Sequence, residues 1–189
     1  MSETTDHIVY SKNVIDFVTV AVELCAYLEN DDSAERHVWI DKTTKLLSLL
    51  YVKALLLPET ISLEEEMLET FVKEEDYARI ASKVTAIMGE DDVFLEVFVE
   101  DMKYSDTPVS AFVSENIADI YQDVRNFISV YQYGLTDRMN DALYACVKNF
   151  RTYWGQKLVN VLRPLHTLLF SDATHSEENA DLNEEDLWD

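Results

Sequence analysis

The sequence predicts an all-α fold, a single-domain bundle of five or six helices around a central apolar helix, with a long kinked helix at the C-terminal end. First, ten of the twelve residues at 46–57 are apolar and face every direction of a helical wheel, which is typical of a helix surrounded by others. Second, only 3 of 189 residues are glycine, whereas average usage of ~7% would give roughly 13. Third, apolar residues recur at helical spacing through most of the chain.

Local signals place the elements in order. Ser11 is the expected N-cap of the first helix, Pro58 ends the second, and a capping box beginning at Ser62 predicts a short helix. The last helix passes Gly155, and Pro164 is expected to kink it. Residues 91–104 are predicted to form a short helix that runs into an extended segment. The predicted helices span, in order, about 11–29, 34–57, 63–70, 74–88, 110–133 and 136–170.

The charge distribution divides the chain and limits its partners. The net charge is −22, and the 19 residues at 171–189 hold 8 acids and no Lys or Arg. We therefore expect a helical domain at 1–170 and a disordered acidic tail at 171–189. A surface this acidic repels phosphate backbones and anionic lipids, which argues against direct nucleic-acid and membrane binding. It suits a basic protein partner, or mimicry of a nucleic acid.

The N-terminal residues and the cysteines indicate a cytoplasmic protein. Residues 1–6 are polar and acidic, unlike a signal peptide, and the apolar run that ends at Pro58 is too short to span a membrane. Cys25 and Cys146 fall on apolar helix faces, so they are expected to be reduced core residues.

A lysine in the last helix is expected to need an acidic partner. Lys157 lies in the middle of the apolar stripe, where an unpaired ammonium group would be very costly. The preceding helix offers a polar strip, and we predict that Lys157 lies near Asp123 or Asp119. This cluster is either an ion pair that fixes how two helices dock or a pocket that binds a small ligand or a partner's side chain. Its members are Asn116, Asp119, Tyr121, Asp123 and Lys157.

A second carboxylate pattern permits a magnesium site. Glu65, Glu66 and Glu69 have the EExxE form, which resembles the first half of the magnesium site in all-helical nucleotide pyrophosphatases. Asp123 is the candidate for the second half, although the match in spacing is poor. The alternative interpretation is a solvated helix turn that the helix dipole favours.

Other enzymatic signals are absent from the sequence. No two histidines or cysteines have the spacing of metal ligands, and no nucleophile has a recognisable base beside it. We therefore expect no cofactor, and the balance is against an enzyme.

The acidic tail carries apolar residues that such segments usually lack. Leu182, Leu187 and Trp188 lie among the acids of 180–189 and could dock into a basic groove with an apolar pocket. The alternative is a tail that only promotes solubility.

Three stretches resemble a known family when taken together: LEVF at 95–98 with YSDTP at 104–108, ADIYQD at 118–123, and YWGQKL at 153–158. In that order they are similar to an uncharacterised bacterial family catalogued as a domain of unknown function, over roughly residues 11–170. The resemblance implies a cytoplasmic all-helical domain and brings no activity, cofactor or catalytic residue. Members tend to be encoded near a nucleic-acid exonuclease, which implies a partner of that kind.

Together these features favour a non-enzymatic interaction or adaptor protein with a basic nucleic-acid-processing partner. The alternatives are a magnesium-dependent nucleotide hydrolase and a nucleic-acid mimic, and the choice between monomer and dimer stays open. Tyr27, Tyr133 and Tyr144 fall off the core stripes, and a cluster of exposed aromatic residues would mark an interface.

Overall fold

The computed structural model describes residues 7–30, 35–63, 68–96 and 109–185, with backbone alone after Ser171. A two-stranded antiparallel sheet, β1 (Val93–Glu96) and β2 (Val109–Phe112), separates the third and fourth helices along the chain. The all-α class and the five or six predicted helices are confirmed. The described helices are α1 (Lys12–Glu29), α2 (Arg36–Leu55), α3 (Glu74–Met88), α4 (Val113–Gln132), α5 (Thr136–Asn149) and α6 (Gly155–Glu185).

Helix α4 occupies the centre of the bundle. It packs against α1, α3, α5 and α6, so apolar side chains on several of its sides are buried. Of its charged residues, Asp119 contacts α3 and α6, Asp123 contacts α5, and Arg125 pairs with Glu29 of α1 at 3.0 Å. The buried apolar residues of α4 are Val113, Ile117, Ala118, Ile120, Tyr121, Val124, Phe127, Ile128 and Val130.

The prediction that the helix at 46–57 is the centre is wrong. Helix α2 packs against α1 and α6 through one face, which includes the buried Leu47 and Leu50. Its opposite face is open, with Val52 51% and Leu55 59% exposed. On a helical wheel every side of this stretch is apolar, so the sequence could not show that α1 and α6 cover only one side of the helix. An apolar side chain on the surface is common enough to be tolerated.

The C-terminal half of the chain is helical without a break from Thr136 to Glu185. A five-residue π-helical turn, Phe150–Trp154, joins α5 to α6, and Pro164 lies inside α6 as predicted. Helix α6 continues well past the end predicted near Phe170. The disordered acidic tail at 171–189 and its separation from a domain at 1–170 stay predictions.

Two connections differ from their predicted forms. Residues 61–63 and 68–73 form no regular structure, so residue 63 and residues 68–70 of the helix predicted at 63–70 are not helical. Its middle, residues 64–67, lies outside the described residues. The expected short helix running into an extended segment is present as a 3₁₀ turn, Gly89–Asp92, followed by β1. Cys25 and Cys146 are both buried and unbridged. No helix in the described part of the chain has the length and apolar character needed to cross a membrane.

Candidate functional site

The structure brings Lys157 to Asp119, one of its two predicted partners. The Lys157 Nζ lies 3.7 Å from Asp119 Oδ2, and the two side chains are 30% and 14% exposed. The Tyr77 hydroxyl donates a hydrogen bond of 3.1 Å to Asp119 Oδ1. Burial, together with a hydrogen bond to Asp119, raises the pKa of Tyr153 to about 12. Asp119 therefore connects α3, the π turn and α6 to the central helix.

Two members of the predicted strip point elsewhere, which corrects the prediction. Tyr121 is two positions after Asp119, or about 200° around the helix, and its hydroxyl donates to Glu29 Oε1 at 2.8 Å on the opposite side of α4. Asn116 is buried at the start of the helix, where its Nδ2 donates to the Phe112 carbonyl at 2.8 Å. Neither side chain joins the ion pair.

Asp123 faces a separate cavity between α4, α5 and residues 68–70. Asn149 Nδ2 donates a hydrogen bond of 2.6 Å to Asp123 Oδ1. Burial raises the pKa of Asp123, the nearby charge of Asp119 adds to the increase, and the bond from Asn149 opposes it. The cavity has a volume of about 160 Å³, and its polar lining includes Glu69 and Asn126. A carboxylate that has lost much of its hydration is thus held at the wall of an accessible space.

The substitution Asp123→Asn is expected to raise the free energy of unfolding by about 1 kcal/mol near neutral pH. The folded-state pKa lies above the ordinary value of 3.8, so the folded protein binds this proton more tightly than the unfolded chain does. The stability linked to Asp123 therefore falls as the pH rises through the window above 3.8. Asparagine keeps an acceptor for Asn149 and carries no charge, so urea unfolding of both proteins should show the gain near pH 7 and its disappearance near pH 4. An equal loss at both pH values would contradict this explanation.

Asn126 holds the chain segment that forms one wall of this cavity. Its Oδ1 accepts hydrogen bonds from the backbone N–H groups of Phe71 at 2.7 Å and Val72 at 2.9 Å. Sequence reasoning did not single out this residue. The available signal was its position, because Asn126 lies three residues after Asp123 and continues the same polar strip.

An open apolar groove adjoins the cavity. It has a volume of about 300 Å³ and shares Leu68, Glu69 and Val130 with the cavity. The Tyr133 and Phe71 rings lie 5.6 Å apart at its rim. Tyr133 is 66% exposed and Leu135 is 63% exposed. We call the cavity and the groove together the α4–α5 groove. The polar residues that line it are Glu69, Thr70, Asp123, Asn126, Arg138 and Asn149.

The candidate magnesium ligands are brought together in part. Glu69 and Asp123 line the same cavity, while Glu65 and Glu66 lie outside the described residues. Within 7–30, 35–63, 68–96 and 109–185, no three His, Cys, Asp or Glu side chains are grouped so that they could hold a metal ion. The magnesium hypothesis therefore keeps one carboxylate pair and lacks a described third ligand.

The predicted tail contacts are outside what the structure describes. Leu182 lies within α6, where the structure describes its backbone and not its side chain. Leu187 and Trp188 follow the last described residue, Glu185. Their role stays a prediction.

Comparison with known proteins supports the fold and the family. The crystal structure of protein BF1032 from Bacteroides fragilis is similar to this chain, with a TM-score of 0.76 and 43% sequence identity over 85% of this chain and 94% of that one. No curated protein matches. The family model for Domain of unknown function (DUF5063) matches residues 8–171. Since that range includes most of the chain, the protein belongs to the DUF5063 family.

Proposed function

We propose that the protein is a non-enzymatic interaction protein that binds a basic protein partner through the α4–α5 groove. The observation that supports this proposal most directly is the combination of carboxylates and an apolar rim in one open space. Asp123 and Glu69 line its inner part, and Tyr133 and Leu135 are exposed at its edge. Such a combination suits the side chain of an arginine or lysine, which has an apolar stem and a charged end.

The charges of the groove favour a cation, because two carboxylates, Glu69 and Asp123, line it against one basic residue, Arg138, which lies in its outer part. A partner's guanidinium group would give Asp123 a charged partner in place of lost hydration, and the Tyr133 ring could contact the same cation through its face. The net charge of −22 would add long-range attraction for a basic protein and increase its association rate. Proteins that process nucleic acids carry basic surfaces for phosphate groups, so we propose a partner of this class in the cytoplasm.

An affinity capture from native cytoplasm, with the full-length chain as bait, tests this proposal. Leu135→Lys should reduce the capture of a basic partner at least about tenfold, because it removes an apolar contact and places a positive charge at the rim that the basic partner must approach. Leu95→Lys is the matched control, since Leu95 is a similarly exposed leucine on β1, outside the groove. Equal capture by the wild-type protein and the groove variant would contradict the proposal. Circular dichroism should show that both variants remain folded.

A magnesium-dependent nucleotide hydrolase is the second candidate, and the shared cavity of Glu69 and Asp123 favours it. Magnesium prefers oxygen ligands in octahedral geometry at about 2.0–2.1 Å. Two carboxylates that line one cavity would supply part of such a ligand set. Isothermal titration with Mg²⁺, followed by assays with nucleoside triphosphates, would test it. If this candidate is right, Glu69→Gln combined with Asp123→Asn abolishes both metal binding and hydrolysis. Failure of the wild-type protein to bind Mg²⁺ would exclude it.

A further inference from the structure

Helix α2 has an exposed face that combines apolar and basic side chains. Leu49 and Val52 lie on this face with Val38 and Leu56, close to one angle of the helical wheel, and all four are exposed. Lys42 and Lys45 share that side. We call these six residues the outer face of α2. In a chain with many more acids than bases, α2 itself has four basic residues and a single acid: Arg36, Lys42, Lys45, Lys53 and Asp41.

The ion pairs on this face leave its lysines accessible. Lys42 pairs with Glu23 at 3.3 Å and lies 4.3 Å from the centre of the Tyr27 ring, with 45% of its side chain exposed. Lys45 pairs with Asp41 at 2.6 Å, with 73% of its side chain exposed. Exposed pairs of this kind contribute between zero and about 1 kcal/mol, so an acidic ligand can replace them at little cost. The apolar residues beside them form a patch of the type that marks a protein–protein interface.

The chain contains a segment whose chemistry complements this face. Residues 180–189 hold five acids and no base, with Leu182, Leu187 and Trp188 among them. Acids would meet Lys42 and Lys45, and the apolar residues would cover Leu49 and Val52. We infer that the outer face of α2 binds the C-terminal segment, residues 180–189, of a second copy of this chain.

The path of the C-terminal helix favours a second copy over the same copy. The C-terminal end of α2 lies beside the start of the π turn, where the Tyr51 and Phe150 rings are 5.5 Å apart and Arg151 pairs with Glu59 at 2.6 Å. From Phe150 to Leu182 the helix spans about 48 Å at ~1.5 Å per residue. The outer face reaches back along α2 only to Val38, about 20 Å from Tyr51 at the same rise per residue. The four residues after Glu185 extend at most about 14 Å, so the segment cannot reach the outer face of its own copy.

Two copies can satisfy this arrangement by symmetry. Each copy would offer its outer face of α2 and its own C-terminal segment, so a two-fold axis would create two identical contacts. Docking would also cover an acidic helix that is marginal alone in water. This use of the tail differs from the one expected from sequence, which was a separate basic protein, and it does not depend on the α4–α5 groove.

Disulfide trapping between full-length chains tests the inference. One population carries Ser48→Cys, which lies beside the outer face of α2, and the other carries Asp189→Cys, next to Trp188. Mild oxidation of the mixture should give a mixed disulfide dimer on a non-reducing denaturing gel. The matched control replaces Ser48→Cys by Ser82→Cys, an exposed serine on α3. Both native cysteines are buried, so they should not compete.

Charge reversal and a double variant complete the test. Lys42→Glu with Lys45→Glu should reduce trapping at least about tenfold, and Glu184→Lys with Glu185→Lys in the other chain should restore it. Trapping equal to the Ser82→Cys control would overturn the inference. So would an intramolecular bond in a chain carrying both Ser48→Cys and Asp189→Cys without any mixed dimer, because that result would place the segment on its own copy.

Discussion

Gly155→Ala is expected to lower the free energy of unfolding by about 3 kcal/mol. A Cβ atom at this position would collide with the Phe150 carbonyl oxygen and lie 2.8 Å from two carbons of the Phe150 ring. The Phe150 ring cannot easily move away, because it packs between Tyr51 at 5.5 Å and Trp154 at 4.7 Å. The backbone of Gly155 is ordinary helix, with φ −65° and ψ −37°. Without the crowding, alanine would stabilise such a position by about 1 kcal/mol, so the sign of the effect reports the π turn directly.

Gly134→Ala is the matched control for this prediction. Gly134 has a φ of +69°, and an added Cβ would meet nothing within 4 Å. Its cost should come from the left-handed backbone alone, about 1 kcal/mol. Urea unfolding followed by circular dichroism measures both variants. If Gly155→Ala unfolds at a higher urea concentration than the wild-type protein, the π turn is not a fixed part of the fold.

Asp92→Ala is expected to cost about 3 kcal/mol of folding free energy. Asp92 is buried, and its carboxylate accepts hydrogen bonds from the Ser114 backbone N–H at 2.8 Å, the Ser114 hydroxyl at 2.7 Å and the Thr85 hydroxyl at 3.2 Å. These bonds tie the end of α3 to the first turn of α4. Alanine would leave the Ser114 donors buried without an acceptor, and each unsatisfied group costs about 1–3 kcal/mol.

The variant Asp91→Ala is the control that distinguishes the loss of these hydrogen bonds from the loss of a negative charge. Asp91 is exposed and pairs with Arg36 at 2.5 Å, so Asp91→Ala should cost no more than about 1 kcal/mol. Hydrogen exchange should show faster opening at the start of α4 in Asp92→Ala and little change in Asp91→Ala. Equal stability losses in the two variants would contradict the assigned role of Asp92.

Periodicity could predict the helices, yet not which helix lies at the centre. The Leu46–Leu57 stretch has more apolar residues than its neighbours can cover, and α2 leaves Leu49 and Val52 exposed. Asp119 and Asp123 interrupt the apolar pattern of α4, so a helical wheel does not identify it as a helix surrounded by others. In the structure both carboxylates are accommodated by specific partners, which a helical wheel does not represent.

The site was predictable where a single energetic cost dominated. A lysine inside an apolar stripe had to meet an acid, and Lys157 does meet Asp119. The prediction that Tyr121 joins this cluster is wrong, because residues two positions apart point to nearly opposite sides of a helix. The clamp by Asn126 depends on residues 68–73, which have no periodic pattern, so only the folded structure could bring that segment to the groove.

The π turn at Phe150–Trp154 changes the direction in which the side chains of α6 point relative to those of α5. An extra residue in a turn rotates everything after it by about 100° relative to a regular α-helix. Helices α5 and α6 thus present faces that a uniform helix would not align, and Lys157 points at Asp119 only with that offset. Because this turn holds one residue more than an α-helical turn, deleting a single residue within it should restore regular α-helix and leave Lys157 directed at Asp119. Deleting a residue in the regular part of α6 would instead rotate everything after it by about 100°. The long C-terminal helix should therefore tolerate a one-residue deletion best at the π turn.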